Sequence, residues 1–107
     1  MLTKRYFYYS ERLGIQLPQL NEDWDQVEIT IQEAIITKWE QTRGAIPERI
    51  KAFEMLINER QAQLNEESDF ARSCQINSDI ADMASRINDL QIWFRLNQDI
   101  QYSKTHN

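Results

Sequence analysis

Residues 76–94 read INSDIADMASRINDLQIWF, and the apolar side chains in this stretch recur every three or four residues. They are Ile76, Ile80, Met83, Ile87, Leu90 and Phe94. Alternating steps of four and three residues place all of them on one side of a helix, in a seam with a seven-residue repeat. The stretch therefore predicts a long helix that packs lengthwise against another helix.

The composition favours a small number of long helices. The chain has 107 residues, which is the usual size of one domain, and 41% of them are hydrophobic. It contains only two Gly and two Pro, whereas antiparallel sheets place many such residues in their turns. We therefore expect residues 1–107 to form a single all-α domain.

The N-terminal part predicts a short helix followed by an extended link. Residues 3–13 can form a helix, and Gly14 suits the position after a helix end, where the backbone turns left-handed. Residues 15–20 contain Pro18, which disfavours helix at the residue before it. We therefore expect a helix over 3–13 and an extended connection after it.

A second helix is predicted over residues 26–43, with Gly44 as its end. Residues 27–31 alternate between apolar and polar side chains, as a strand does, and this alternative stays open. The longer pattern favours the helix, because apolar residues recur every four positions from Val27 to Trp39.

Two long helices are predicted in the rest of the chain. Pro47 suits the first turn of a helix over 47–66, since the N–H that proline lacks would be unpaired there. An acidic segment then forms a tight turn, in which Ser68 or Asp69 can cap the next helix. That helix runs over 69–102, roughly 50 Å, before a tail at 103–107 that we expect to be disordered.

We expect these two helices to form an antiparallel hairpin. The inward stripe of the shorter helix is Ile50, Phe53, Ile57 and Leu64. This stripe is expected to cover only the first half of the seam, from Ile76 to Met83. The second half widens through Ile92 and Trp93, and the N-terminal helices or a second subunit would cover it. The predicted fold is an all-α bundle of three to four helices.

Residues 57–83 share features with one known motif. The matching residues are an acidic–aromatic pair, two small residues and three apolar residues at helical spacing: Asp69, Phe70, Ser73, Cys74, Ile76, Ile80 and Met83. The segment resembles the UVR motif, an antiparallel helical hairpin of bacterial excision-repair proteins and some protease adaptors. The motif's Leu-Arg-Asp triplet is Ile76-Asn77-Ser78 here, without the charged pair. The resemblance implies a hairpin that docks onto another protein.

No residue pattern predicts catalysis, a cofactor or a metal site. The only histidine, His106, is next to the C-terminal residue, where nothing would orient it. The only cysteine, Cys74, has no histidine partner and is expected to be a buried or half-buried apolar residue. Carboxylates such as Asp79 and Asp82 lack the Glu-x-x-His pairs of helical di-metal sites. We therefore predict that the chain is not an enzyme, with a carboxylate metal enzyme as a remote alternative.

Charge and hydropathy limit the classes of partner. The net charge is −5, and neither half of the chain is basic, which disfavours direct nucleic-acid binding. A nucleic-acid-associated regulator that acts as an oligomer stays open as an alternative. We expect no signal peptide, because the first residues lead into tyrosines and charges and not into a long apolar run. No apolar run in the sequence is long enough to span a membrane, so we expect a cytoplasmic protein without a membrane partner.

The excess of apolar and aromatic helix surface predicts the function. We expect a small cytosolic protein–protein interaction module, such as an adaptor, small chaperone or regulator, that binds a protein partner or forms a homodimer. The candidate partner-binding residues are Tyr6, Tyr8, Tyr9, Trp93, Leu96 and Ile100.

Overall fold

The computed structural model describes residues 3–105, and it describes side chains through residue 96. The chain forms two compact units, Met1–Ile46 and Pro47–Asn107. The elements in chain order are a 3₁₀ turn at Lys4–Tyr6, strands β1 (Phe7–Ser10) and β2 (Ile15–Pro18), a 3₁₀ turn at Trp24–Gln26, and helices α1 (Ile29–Gly44), α2 (Ile46–Glu66) and α3 (Phe70–Thr105). The chain is therefore mostly helical, as predicted, and it also has a small two-stranded sheet.

The N-terminal segment is a β-hairpin, so the predicted helix over 3–13 is wrong. β1 and β2 pair antiparallel, with Tyr8 opposite Leu17. Consecutive aromatic side chains favour a pleated, half-buried surface over a helix, which explains the difference. The extended backbone predicted around Pro18 is present as β2. The predicted bundle of three to four helices is therefore not confirmed, because its first helix is a pair of strands.

The turn of this hairpin explains why the local sequence resembles a helix end. The N–H of Gly14 donates to the carbonyl oxygen of Ser10 at 2.7 Å, which closes one helical turn. Gly14 then adopts a φ of 72°, in the left-handed region. One helical turn followed by a left-handed glycine also ends many helices. Here the same local features reverse the chain between two strands.

Alanine at the two glycines is expected to have opposite effects on stability. Gly14→Ala should lower the free energy of unfolding by about 1 kcal/mol, because a side chain disfavours positive φ. Gly44 lies at the end of α1, and a Cβ there would meet nothing within 4 Å. Gly44→Ala should therefore raise the free energy of unfolding by about 0.5 kcal/mol. Thermal unfolding followed by circular dichroism tests this, and shifts of the same sign would contradict it.

The first unit has its own apolar core, in which β2 packs against α1. Its buried side chains come from the hairpin, the connection and α1: Tyr6, Phe7, Leu13, Ile15, Leu17, Val27, Ile35 and Trp39. The open alternative at 27–31 is settled by the backbone, because Val27 and Glu28 are extended and Ile29 begins the helix.

Helices α1 and α2 are separated by Ala45 alone. Ala45 itself has helical dihedral angles, and its N–H donates to the carbonyl oxygen of Thr42 at 3.0 Å. Gly44 does end α1, but its φ is not positive, so the predicted left-handed end is wrong. The helical backbone has little reason to unwind here, because Ala45 has the highest intrinsic helix propensity.

Helices α2 and α3 form the predicted antiparallel hairpin. Near the turn, Arg60 of α2 lies 3.9 Å from Asp79 of α3. Farther from the turn, the guanidinium of Arg86 lies 5.9 Å from the centre of the Phe53 ring. With increasing distance from the turn, residue numbers fall along α2 while those of their contacts on α3 rise, so the two helices are antiparallel. Asp69 caps α3 as predicted, since its Oδ2 accepts from the N–H of Arg72 at 3.1 Å.

Helix α2 reaches further along the seam than we predicted. Ile76 and Leu90, from the two halves of the seam, are 1% and 0% exposed. The start of α2 lies beside Phe94, because Pro47 and Phe94 line the same groove. The prediction that α2 covers only Ile76 to Met83 is therefore wrong. α3 ends at Thr105, three residues beyond the predicted 102, and the last two residues of the expected tail lie outside the described part.

Candidate interaction surfaces

The residues that the sequence offers for metal binding or nucleophilic chemistry are not clustered in the described part of the chain. No group of three or more His, Cys, Asp or Glu side chains within it could hold a metal ion. Cys74 is exposed, which corrects the expectation that it is buried or half-buried. It lies on the side of α3 away from the seam, where the thiol faces water. His106 lies outside the described residues.

The carboxylates of the hairpin take part in structural contacts. Asp82 accepts from Arg86 at 2.7 Å, as their spacing of four residues on one helix allows. Asp79 accepts from the amide of Gln75 at 3.0 Å and lies near Arg60. These contacts give both carboxylates a role in helix and hairpin stability.

Tyr6 lies in the core of the first unit, so its ring is out of reach of a partner. It is 4% exposed, and its hydroxyl donates to Oε1 of Glu22 at 2.9 Å. This hydrogen bond to a carboxylate, with some desolvation, raises the pKa of Tyr6 above its usual value. The ring contributes apolar area to a small core while the hydroxyl keeps a partner, which is a common arrangement for buried tyrosine.

The next two tyrosines lie at the surface. Tyr8 and Tyr9 on β1 are 45% and 57% exposed. Phe7 before them is buried, and the ammonium of Lys38 lies 5.4 Å from the centre of its ring. Phe7 therefore anchors β1 in the first unit, while Tyr8 and Tyr9, which lie on opposite faces of the strand, are each exposed.

The second unit has an apolar surface on α3, which we call the α3 surface: Ile92, Trp93 and Leu96. Ile92 and Leu96 lie one helical turn apart and are 41% and 44% exposed. Trp93, between them in sequence, is half-buried. The side chain of Ile100, the last predicted residue, lies outside the described residues. Two of the predicted residues, Trp93 and Leu96, are therefore brought together with Ile92.

Besides the α3 surface, the described part of helices α2 and α3 has three further exposed large apolar side chains that were not among the predicted residues. Met55 and Leu56 on α2 are 64% and 41% exposed. Phe70, the first residue of α3, is 81% exposed at the turn of the hairpin. The periodicity of α2 predicts that Met55 is exposed, because Met55 lies half a helical turn away from the inward residues Phe53 and Ile57.

The open end of the hairpin carries a groove of about 520 Å³. Pro47 and Ile50 line it from α2, and Gln91, Phe94 and Arg95 line it from α3. Among the described side chains, Arg95 is the charged residue in its lining.

Comparison with known proteins identifies no family. The chain matches no protein-family model, no curated protein and no solved structure. The resemblance of residues 57–83 to the UVR motif therefore stays a prediction. Among the described helices, none combines the length and the apolar character that crossing a membrane requires.

Proposed function

We propose that the chain is a small cytosolic interaction module that binds another protein through the α3 surface. The observation that carries the proposal is the exposure of Ile92 and Leu96, one turn apart on a helix that α2 already holds in place. When a partner covers exposed apolar surface, removing that surface from water is favourable by about 25 cal/mol per Å². Trp93 adds an aromatic side chain, a type that is enriched at the centres of interfaces.

The α2–α3 hairpin suits a docking role because it presents the α3 surface on a packed helix. Side chains on a packed helix keep their spacing, so binding would require little ordering of the backbone. Leu90, directly before the α3 surface, is fully buried and fixes the rotation of α3. The proposed role is that of an adaptor, small chaperone or regulator. The resemblance to the UVR motif supports a docking hairpin, while the absent charged pair leaves the partner unspecified.

A capture experiment with the full chain tests the proposal. The bait is the purified protein in cytosol of its own organism, and the variants are Ile92→Glu and Leu96→Glu. We expect each variant to lose at least about tenfold of a captured partner, because a carboxylate buried in an apolar interface costs several kcal/mol. Captured proteins are identified by mass spectrometry.

The matched control is Gln61→Glu, which adds the same charge at an exposed position near the turn of the α2–α3 hairpin, at the end away from Ile92. It should capture the partner as the unchanged protein does. Circular dichroism of all three variants verifies that the helices are retained. If the three variants and the unchanged protein capture the same partners equally, the α3 surface is not the binding site.

A further inference from the structure

The outer face of α2 carries a second apolar surface, centred on Met55. Met55 is 64% exposed, and Ala52 and Leu56 beside it on the helix are also exposed. Phe53 and Ile57, which point toward α3, lie on the opposite side of α2. The Met55 face therefore belongs to the part of the hairpin that α3 does not cover.

Two opposite charges bracket Met55. Lys51 lies one helical turn before it and Glu59 one turn after it, and both are exposed. No ion pair among the described side chains includes either residue. Eight residues separate the two, about 12 Å along the helix, so they cannot pair with each other. Each charge is therefore available to a group outside the chain.

The charges on either side of Met55 are self-complementary when two copies of α2 run antiparallel. A second α2 that runs antiparallel, with the twofold axis beside Met55, sets Lys51 opposite Glu59 of the partner subunit. The same symmetry sets Glu59 opposite Lys51 of the partner subunit, so two ion pairs flank the central methionines. A parallel pairing would instead place like charges together, which is unfavourable.

We infer that the Met55 face of α2 binds a second copy of this chain, antiparallel, through paired methionines and two Lys51–Glu59 contacts. The inference goes beyond the proposed function, because it assigns a different apolar surface, on α2 instead of α3, to self-association. One pair of helices forms a small interface, in the size class of weak and transient complexes. The dimer is therefore expected to form at micromolar concentrations and to weaken with salt.

A charge-swap experiment on the full chain tests the inference. Sedimentation velocity of the purified protein over a concentration series measures the dissociation constant. Lys51→Glu and Glu59→Lys should each weaken the dimer about tenfold, since each replaces two attractive pairs by two repulsive ones. The double variant Lys51→Glu/Glu59→Lys restores the pairing with the charges exchanged, and should return to within about threefold of the unchanged protein.

The matched control is Glu11→Lys, which makes the same charge change at an exposed position in the first unit, outside α2. It should alter the dissociation constant by less than about twofold. A chain that stays monomeric at millimolar concentration overturns the inference, as does a double variant that remains as weak as the single ones.

The outcomes separate this inference from the proposed function. A monomeric chain that still captures a protein through the α3 surface contradicts the inference alone. A dimer with the expected charge dependence that captures no other protein contradicts the proposed function alone. The two experiments change different helices, Lys51 and Glu59 on α2 and Ile92 and Leu96 on α3, so neither result determines the other.

Discussion

Leu90→Ala is expected to lower the free energy of unfolding by about 2–5 kcal/mol. Leu90 is 0% exposed, in the seam of α3 that faces α2. Removing its branched side chain loses the buried apolar area and leaves a cavity that the rigid helices fill only in part. Small domains are stable by about 5–15 kcal/mol in total, so the loss is a large fraction of the whole. Urea denaturation followed by far-UV circular dichroism measures it.

The control for Leu90 is Ile92→Ala, two residues further along the same helix. Ile92 is 41% exposed, on the α3 surface that we propose for partner binding. Its truncation should change the free energy of unfolding by less than about 0.5–1 kcal/mol. If the two variants are destabilised equally, the seam does not face α2 in the way that the structure shows.

The hairpin of α2 and α3 could be predicted from the sequence because its signals are local and long. We predicted helices over 47–66 and 69–102, and the structure has Ile46–Glu66 and Phe70–Thr105. A heptad pattern over many turns identifies the inward side chains without knowledge of the rest of the chain. Asp69 at the turn adds a capping signal that also acts locally, and the structure confirms it.

The axial register of the hairpin was predicted wrongly, although the information was present. A tight turn near residue 68 places residues equally distant from it side by side, which matches Phe53 beside Arg86. We instead assigned the stripe from Ile50 to Leu64 to the first half of the seam. Periodicity alone shows which side of a helix faces inward, and only the position of the turn shows how far the helices overlap.

The N-terminal β-hairpin was not predicted, because the local sequence that ends at Gly14 is compatible with two different structures. A helical turn that ends in a left-handed glycine is compatible with a helix end and with a strand reversal. The choice depends on packing against α1, which lies later in the chain. The run of aromatic residues before Gly14 favours strands, because aromatic side chains suit a pleated, half-buried surface.

The exposed surfaces could be predicted only in part, because exposure depends on which elements cover a side chain. Tyr6 and Tyr8 look equivalent in the sequence, yet they are 4% and 45% exposed. The hydroxyl of the buried Tyr6 donates to Glu22, sixteen residues away, and a contact over that separation is not visible in the local sequence. The exposure of Met55 follows from the periodicity of α2, because Met55 lies opposite the inward residues Phe53 and Ile57.

Trp39→Ala is expected to lower the free energy of unfolding of the first unit by about 3–5 kcal/mol. Trp39 is 6% exposed on α1, and tryptophan is the largest side chain type in this core. A hairpin of two four-residue strands cannot stay folded in water without a surface to pack on. Loss of the Trp39 ring removes much of the surface that α1 offers, so the strands should be lost with it.

The control is Ile29→Ala, on the same helix but 67% exposed. Because Ile29 contributes little buried area, its replacement by a better helix former should leave the free energy of unfolding within about 0.5 kcal/mol. Urea denaturation followed by amide chemical shifts of Tyr8 and Leu17 reports directly on the strand pair. If those shifts keep their native values in Trp39→Ala to the same urea concentration as in Ile29→Ala, the hairpin does not depend on the core that contains Trp39.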